Sequence, residues 1–520
     1  MNFIPKPFAV AITVLLQLTF TALHINAQTA SPRYEFRAVW IATVDNIDWP
    51  SKKGLSSDEQ KREFIEQLDM HKANGMNAVI MQIRPAADAF YPSPYEPWSE
   101  WLTGIQGKPP YPYYDPLQFM IEEVHKRGME FHAWCNPYRA VYSLNSSSVS
   151  ATHITKLKPE WFINYGGKKY FDPGNKEVQT YVNLVVEDIL KRYDVDALHF
   201  DDYFYPYRVP GKIFNDSVTY KKYGNGLLID DWRRSNVDSI ILSLSRTTKR
   251  LKPWCRFGIS PFGVWRNQSS DPDGSATKAG QTNYDDLYAD ILLWLKNGWI
   301  DYVAPQLYWE FGHPAAAYET LLEWWSRHTY GKDCYIGLGV YKAGTSKNWR
   351  DSTLLPRQIK ALRETPNIGG AIYFSSKSFM KNPLGWNDSL RNNYYRLPSL
   401  IAPYADSGMI TPPIPNITEV IIDANRNISF RVSNPDGFTA DIRKINVYLG
   451  KNENFGEARL IKTTPYNEQA LLKFNLPEAD IVTLFVTYQN RVNHESSTAI
   501  EFLKPLTIVK NADGSLLASF

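Results

Sequence analysis

KEVQTYVNLVVEDILKRYDVDALHFDDYF, residues 176–204, begins with a helical pattern over 176–193 and passes into a short apolar run that ends in acidic and aromatic residues. A helix feeding a strand whose C-terminal end turns polar is one unit of a parallel α/β fold. The same grammar recurs from residue 35 to 376. Eight strand-like runs fall at 37–44, 78–85, 130–138, 196–203, 256–263, 301–310, 334–341 and 370–376. Helical stretches lie between them at 57–74, 116–128, 176–193, 231–251, 285–297, 314–328 and 355–364. Gly75, Gly128 and Gly298 stand where helix C-caps are expected. Eight strands alternating with helices predict an α/β fold of the (β/α)8 TIM-barrel type rather than an open sheet. No Gly-x-Gly-x-x-Gly follows the first strand, which argues against a dinucleotide fold.

Working outward, the barrel is expected over 34–398. Pro398, Pro403, Pro412, Pro413 and Pro415 then mark a linker over 399–415. From 416 to 506 the pattern changes to short alternating strands, at 428–432, 445–449, 470–474 and 482–488, which predicts a small all-β sandwich. FVTYQNRVNHES (485–496) resembles the late strand and loop of fibronectin type III modules. At the other end, Lys6 precedes an apolar run from Phe8 to about Leu23, and Ala27 offers a cleavage point before Gln28. Residues 1–27 therefore read as a secretory signal, with no cysteine placed for a lipid anchor. No further segment has the length or apolarity to span a bilayer, so the expected mature protein lacks a transmembrane segment and is periplasmic or secreted.

The 520 residues are 43% hydrophobic and 21% charged, with a net charge of +3, so a general electrostatic grip on nucleic acid is not expected. The aromatic content is high, with 16 Trp and 32 Tyr, many beside Pro or Gly in loops where flat rings suit the apolar faces of sugars. Cys135, Cys255 and Cys334 share the apolar side of their strands and read as buried free thiols.

Barrel enzymes carry their chemistry at the C-terminal ends of the strands. In the fourth strand Leu198 and Phe200 should face the helices, leaving His199 and Asp201 inward and Asp202 at the rim. In the sixth, Val303 and Leu307 face outward, so Gln306, Tyr308 and Glu310 should line the interior, with Trp309 beside them. The same alternation points Gln82 and Arg84 inward from the second strand, and His132, Trp134 and Asn136 from the third. Tyr341 and Tyr373 take that place on the last two.

Paired carboxylates are what glycoside hydrolysis needs: one protonates the leaving oxygen, the other attacks or activates water. The alternative for any one rim acid is a salt bridge to a loop Arg or Lys. Asp201, Asp202 and Glu310 form the candidate catalytic set, on strands four and six as in barrels of the alpha-galactosidase type. On that analogy one Asp is nucleophile or base and Glu310 the acid. His199 beside Asp201 also suits a metal, yet no His-x-His pair or Cys/His cluster accompanies it, so neither metal nor cofactor is expected. No Gly-x-Ser-x-Gly elbow supports a serine nucleophile.

FRAVWIATV (36–44), MQIRPAADAFYPS (81–93), FHAWCNPYR (131–139), YFDPGNKEVQTYV (170–182), VDALHFDDYFYP (195–206) and APQLYWE (304–310) resemble the glycosyl-hydrolase-like family 10, from about Tyr34 to Phe379. The resemblance implies retaining or lytic action on glycans, at least one bacterial relative acting on peptidoglycan strands stripped of peptides. Carried over by motif, the site is Asp201, Asp202, Tyr203 and Glu310, surrounded by Asp172, Arg84, Asn136 and Tyr138. Tyr203 stands where a chitinase-type strand would put its catalytic acid, against that mechanism. The expectation is a glycan-cleaving exported hydrolase. The competing readings are a glycosidase that scavenges dietary or host polysaccharide, and an inactive glycan-binding barrel.

Overall fold

The computed structural model describes residues 31–404, 409–435, 441–468, 470–498 and 505–520. The expected signal segment, 1–27, lies outside the described residues. Eight parallel strands close into a barrel in sequential order. They are β1 (Phe36–Ile41), β2 (Ala78–Arg84), β3 (Glu130–Cys135), β4 (Ala197–Phe200), β5 (Arg256–Ile259), β6 (Tyr302–Val303), β7 (Asp333–Leu338) and β8 (Ile368–Tyr373). Helices such as α1 (Ser57–Ala73), α2 (Pro116–His125), α3 (Lys176–Arg192) and α4 (Ile229–Leu251) cover the outside. Their starts are written into the sequence. Ser56 and Glu59 form a reciprocal capping box on α1, and the side chains of Asp115 and Asn175 cap α2 and α3.

Strand alternation sorts the core into two parts. Leu198, Phe200, Val303 and Leu307 join the large apolar layer under the helices, as expected. Phe36, Ala38, Trp40, Ala78, Ile80, Trp134, Ala197, Tyr302 and Ile372 fill the barrel itself. Tyr373 departs from the expectation of an inward ring. A register irregularity between β7 and β8 sets Ile372 into the barrel. Tyr373 then points to the helices, its hydroxyl 2.5 Å from that of Tyr395. The sixth strand is also shorter than the expected 301–310. Pro305 has no N–H to continue the ladder, and the chain re-pairs only at Gln306, which bridges Phe262 and Gly337. The stretch 285–297 breaks into Asn283–Asp286 and Ile291–Lys296.

All three cysteines are free and buried. Burial pushes the thiols of Cys135 and Cys255 up to about 12. No helix among the described residues is long and apolar enough to cross a membrane.

Past the barrel the chain stays close to it. Leu400 accepts from the Glu35 N–H at 2.8 Å, Ile401 joins the barrel interior, and Tyr404 donates to Glu130 at 3.0 Å. An antiparallel three-stranded sheet and a five-stranded sheet follow. They enclose a core that includes Ile428, Phe430, Val447, Leu484 and Tyr488. The larger sheet runs on past residue 506 through the strands Leu506–Lys510 and Leu516–Ser519. This all-β unit docks on the N-terminal mouth of the barrel. Arg443 and Arg491 both bind Asp194 at 3.0 Å, and Arg33 binds Glu495 at 2.6 Å.

Candidate active site

At the C-terminal ends of the strands lies a cleft of about 290 Å³. Its floor and walls include Trp40, Trp134, Tyr203, Tyr308, Tyr341 and Phe374, and the acids in its lining are Asp201 and Asp202. β4 ends at Phe200, so strict alternation lapses just beyond it and both acids enter the same cleft. Each is more than nine-tenths buried.

Asp201 is held rather than free. One carboxylate oxygen accepts from the Asn136 amide and the other from the Tyr203 N–H at 3.4 Å. The orientation of that amide follows from its own partners. Its oxygen accepts from Gln82 at 2.5 Å and from Arg139 at 2.8 Å, so its nitrogen must face Asp201. Gln82 is fixed in turn because its oxygen accepts the Thr43 and Val44 N–H groups, each at 2.9 Å. The Tyr207 hydroxyl donates to Asp202.

Burial raises the pKa of both carboxyls. For Asp202 the charge of Asp201 adds to the rise, whereas the Arg139 guanidinium draws Asp201 back down. The two side chains therefore differ in proton affinity by environment: Asp202 is the group suited to carry a proton, Asp201 the group suited to remain ionised.

The other expected residues divide into those that brace this pair and those that stand apart. Gln306, in the lining, donates to the Ser260 carbonyl at 2.9 Å. Tyr308, Tyr341 and Phe374 form one aromatic group, with ring centres 5.8–6.0 Å apart. Arg84 does not reach the cleft. It pairs with buried Glu96 at 2.5 Å and donates to the Asn136 carbonyl, bracing the residue that holds Asp201. His132 and His199 lie deeper in the barrel, on either side of the Tyr302 hydroxyl and each 2.9 Å from it. Burial keeps His199 neutral.

Tyr138 is buried in the large apolar layer under the helices, outside the cleft lining. Asp172 closes a turn, accepting from the Gly174 N–H at 3.0 Å and from Thr219. Gly174 is required there, because a Cβ would meet the Trp232 ring at 2.4 Å. The DPGN block thus shapes a turn next to α3. Trp309 packs edge-on against Phe262, outside the lining.

Glu310 does not join the pair. Its carboxylate accepts from the Trp349 indole at 3.0 Å and the Asn348 amide at 3.1 Å. Although partial burial works the other way, those bonds hold it below the usual carboxylate range.

Arg139, Trp40, Ser260, Phe374 and Tyr207 complete the site without having been singled out from sequence. Trp40 and Ala42 were legible in FRAVWIATV by alternation. Arg139 ends the FHAWCNPYR block but sits on a small antiparallel sheet inserted after β3, a position that the barrel periodicity does not announce. Among the described residues, no group of three or more His, Cys, Asp or Glu side chains is arranged to hold a metal ion.

The family described as glycosyl hydrolase-like 10 matches residues 35–352. The glycosyl hydrolase YngK of Bacillus subtilis is 43% identical over 94% of this chain and 96% of its own length. The glycosyl hydrolase DigH of Escherichia coli K12 is 38% identical over 67% of this chain and 84% of its own. Among solved structures, the PgaB (BpsB) glycoside hydrolase domain of Bordetella bronchiseptica is 14% identical. It has a TM-score of 0.41, covering 69% of this chain and 98% of that domain.

Proposed function

Because the chain belongs to the glycosyl hydrolase-like 10 family, we propose that it is an exported glycoside hydrolase cutting a hexosamine-containing glycan, with peptide-free peptidoglycan strands as the preferred substrate. The observation that carries this reading is the Asp201–Asp202 pair, buried together in an aromatic-walled cleft at the catalytic face of a closed barrel. Trp40, Trp134, Tyr308 and Tyr341 offer the flat apolar surfaces on which pyranose rings stack. Asp202 donates the proton to the leaving oxygen and later takes one from water. Arg139 keeps Asp201 charged beside the developing positive charge at the anomeric carbon. Glu310 takes no chemical step in this reading. Export rests on the segment before Gln28, and the glycan on the family resemblance.

The test is to incubate the mature protein with intact peptidoglycan, peptide-free glycan strands and a panel of polysaccharides, measuring new reducing ends. Release from the peptide-free strands above the other substrates is the expected result. Turnover of polysaccharides alone would favour a scavenging glycosidase, and binding without turnover an inactive barrel.

A further inference from the structure

The cleft supplies a proton donor and a held carboxylate side by side, but its lining brings in no carboxylate from another strand. Hydrolysis by two protein carboxylates places them on either side of the scissile bond, about 5–5.5 Å apart for a nucleophile or about 6.5–9.5 Å for a water-activating base. Consecutive residues at the end of one strand approach the sugar from one side. Glu310, the acid expected from the sixth strand, is tied to Trp349 and Asn348. Asp45, after β1, is exposed and hydrogen-bonded to Tyr142. Asp201 is fixed in position, each of its oxygens accepting one hydrogen bond and keeping a lone pair free. A fixed, charged acceptor of that kind suits a different task, which is to grip an N–H.

Resting on the functional reading above, we propose that the nucleophile is the substrate's own 2-acetamido group, with Asp201 holding its N–H and Asp202 acting as the acid and base. The floor of the cleft fits such a group. Trp40, Ala42, Ile47 and Trp134 give the cleft that holds Asp201 an apolar lining, suited to the methyl of an acetamido group. The Trp134 side chain is more than nine-tenths buried, and its indole N–H is directed at Asp201, alongside the Asn136 amide.

In the first step Asp202 gives its proton to the glycosidic oxygen, and the C1–O bond breaks with its electron pair leaving on the alcohol. The acetamido carbonyl oxygen bonds to C1, and Asp201 takes the N–H proton, leaving a neutral oxazoline. In the second step water attacks C1, and its proton passes to the Asp202 carboxylate. The C1–oxazoline bond breaks, its electrons restore the amide, and Asp201 returns the proton to nitrogen. The sum is one glycoside and one water giving two hydroxyls, with retention and no covalent enzyme intermediate.

The experiment uses the full mature chain and three probes: peptide-free glycan strands, partly N-deacetylated N-acetylglucosamine oligomers, and the 1,2-thiazoline analogue of N-acetylglucosamine. Every new reducing end in the mixed oligomers should be N-acetylated, and the thiazoline should inhibit competitively. Asp201→Asn should lose about 10²-fold or more of turnover, whereas Asp45→Asn should keep it. New reducing ends carrying free amines, or a glycosyl-aspartate mass adduct on the protein, would overturn the proposal while leaving the hydrolase reading standing. Absence of turnover on all glycans would remove both.

Discussion

Asn493, in the all-β unit, donates a 2.7 Å hydrogen bond to Glu130 at the N-terminal mouth of the barrel. The bond is one end of a chain that crosses the whole barrel. The Trp40 indole, in the cleft floor, donates to His199 at 3.3 Å. His199 accepts at Nε2 and therefore presents its single N–H, on Nδ1, to the Tyr302 oxygen; Tyr302 donates to His132, and His132 donates to Glu130 at 3.0 Å. The Tyr302 ring has room at the axis only because Gly258 has no side chain, since a Cβ there would lie 2.0 Å from it. The docked domain thus completes the polar network under the cleft floor.

Tyr302→Phe tests that network. It removes one hydroxyl and leaves two buried imidazole nitrogens without partners, which costs about 1–3 kcal/mol each at the usual rate for unsatisfied buried groups. Urea unfolding should show a loss in that range or above. With Trp40 no longer anchored from below, KM on glycan oligomers should also rise. Unchanged kinetics beside the stability loss would reduce the chain to scaffolding.

Arg139→Met should move the acid limb of the activity profile. Burial raises the Asp201 carboxyl and Arg139 opposes that rise. Without the guanidinium Asp201 stays protonated to higher pH, and an opposite charge of this kind is worth roughly 1–3 units. Activity that requires ionised Asp201 should then appear only at higher pH, by about one unit or more. The kcat/KM profile from pH 4 to 8 reads this directly, and an unmoved acid limb would take ionised Asp201 out of the rate-limiting step.

How much of this was readable in the chain differs from residue to residue. Leu198, His199, Phe200 and Asp201 obey a two-residue period, so their sides were fixed as soon as the strand was recognised. Asp202 entered the cleft because the strand stops at Phe200, an event with no period to announce it. Gln306 and Tyr308 keep the expected side past Pro305, but no strand carries the alternation on to Glu310, which leaves the cleft lining. The inward placing of Tyr373 failed at the register irregularity in β8. Arg139 and the Glu130–Asn493 contact depend on an inserted sheet and on domain docking, neither of which leaves a local pattern.

Glu310→Gln should be nearly silent in catalysis. The side chain accepts from Trp349 and Asn348, and a Gln oxygen preserves one of those bonds. Turnover on glycan strands should stay within about threefold, far from the roughly 10²–10⁴-fold loss that follows removal of a proton-transfer group. A loss of that larger size would return Glu310 to the mechanism and Asp202 to a supporting part.

Asp202→Asn should trade activity for stability, and the trade should depend on pH. The folded-state pKa of Asp202 is raised by burial and by Asp201, while an unfolded Asp titrates near about 3.9. Below that value both states are protonated, and the residue costs nothing. As pH rises, the unfolded chain ionises first, so the wild-type protein loses stability progressively until the folded carboxyl also ionises. Asn carries no charge and still accepts from Tyr207, so the variant escapes this loss. Its advantage should be absent near pH 4 and reach about 1–3 kcal/mol by pH 8, while turnover falls about 10²-fold or more. Urea midpoints at four or five pH values, paired with reducing-end assays, measure both arms. A variant less stable than wild type at pH 8 would mean that the folded protein prefers Asp202 ionised, and the proton donor would have to be sought elsewhere.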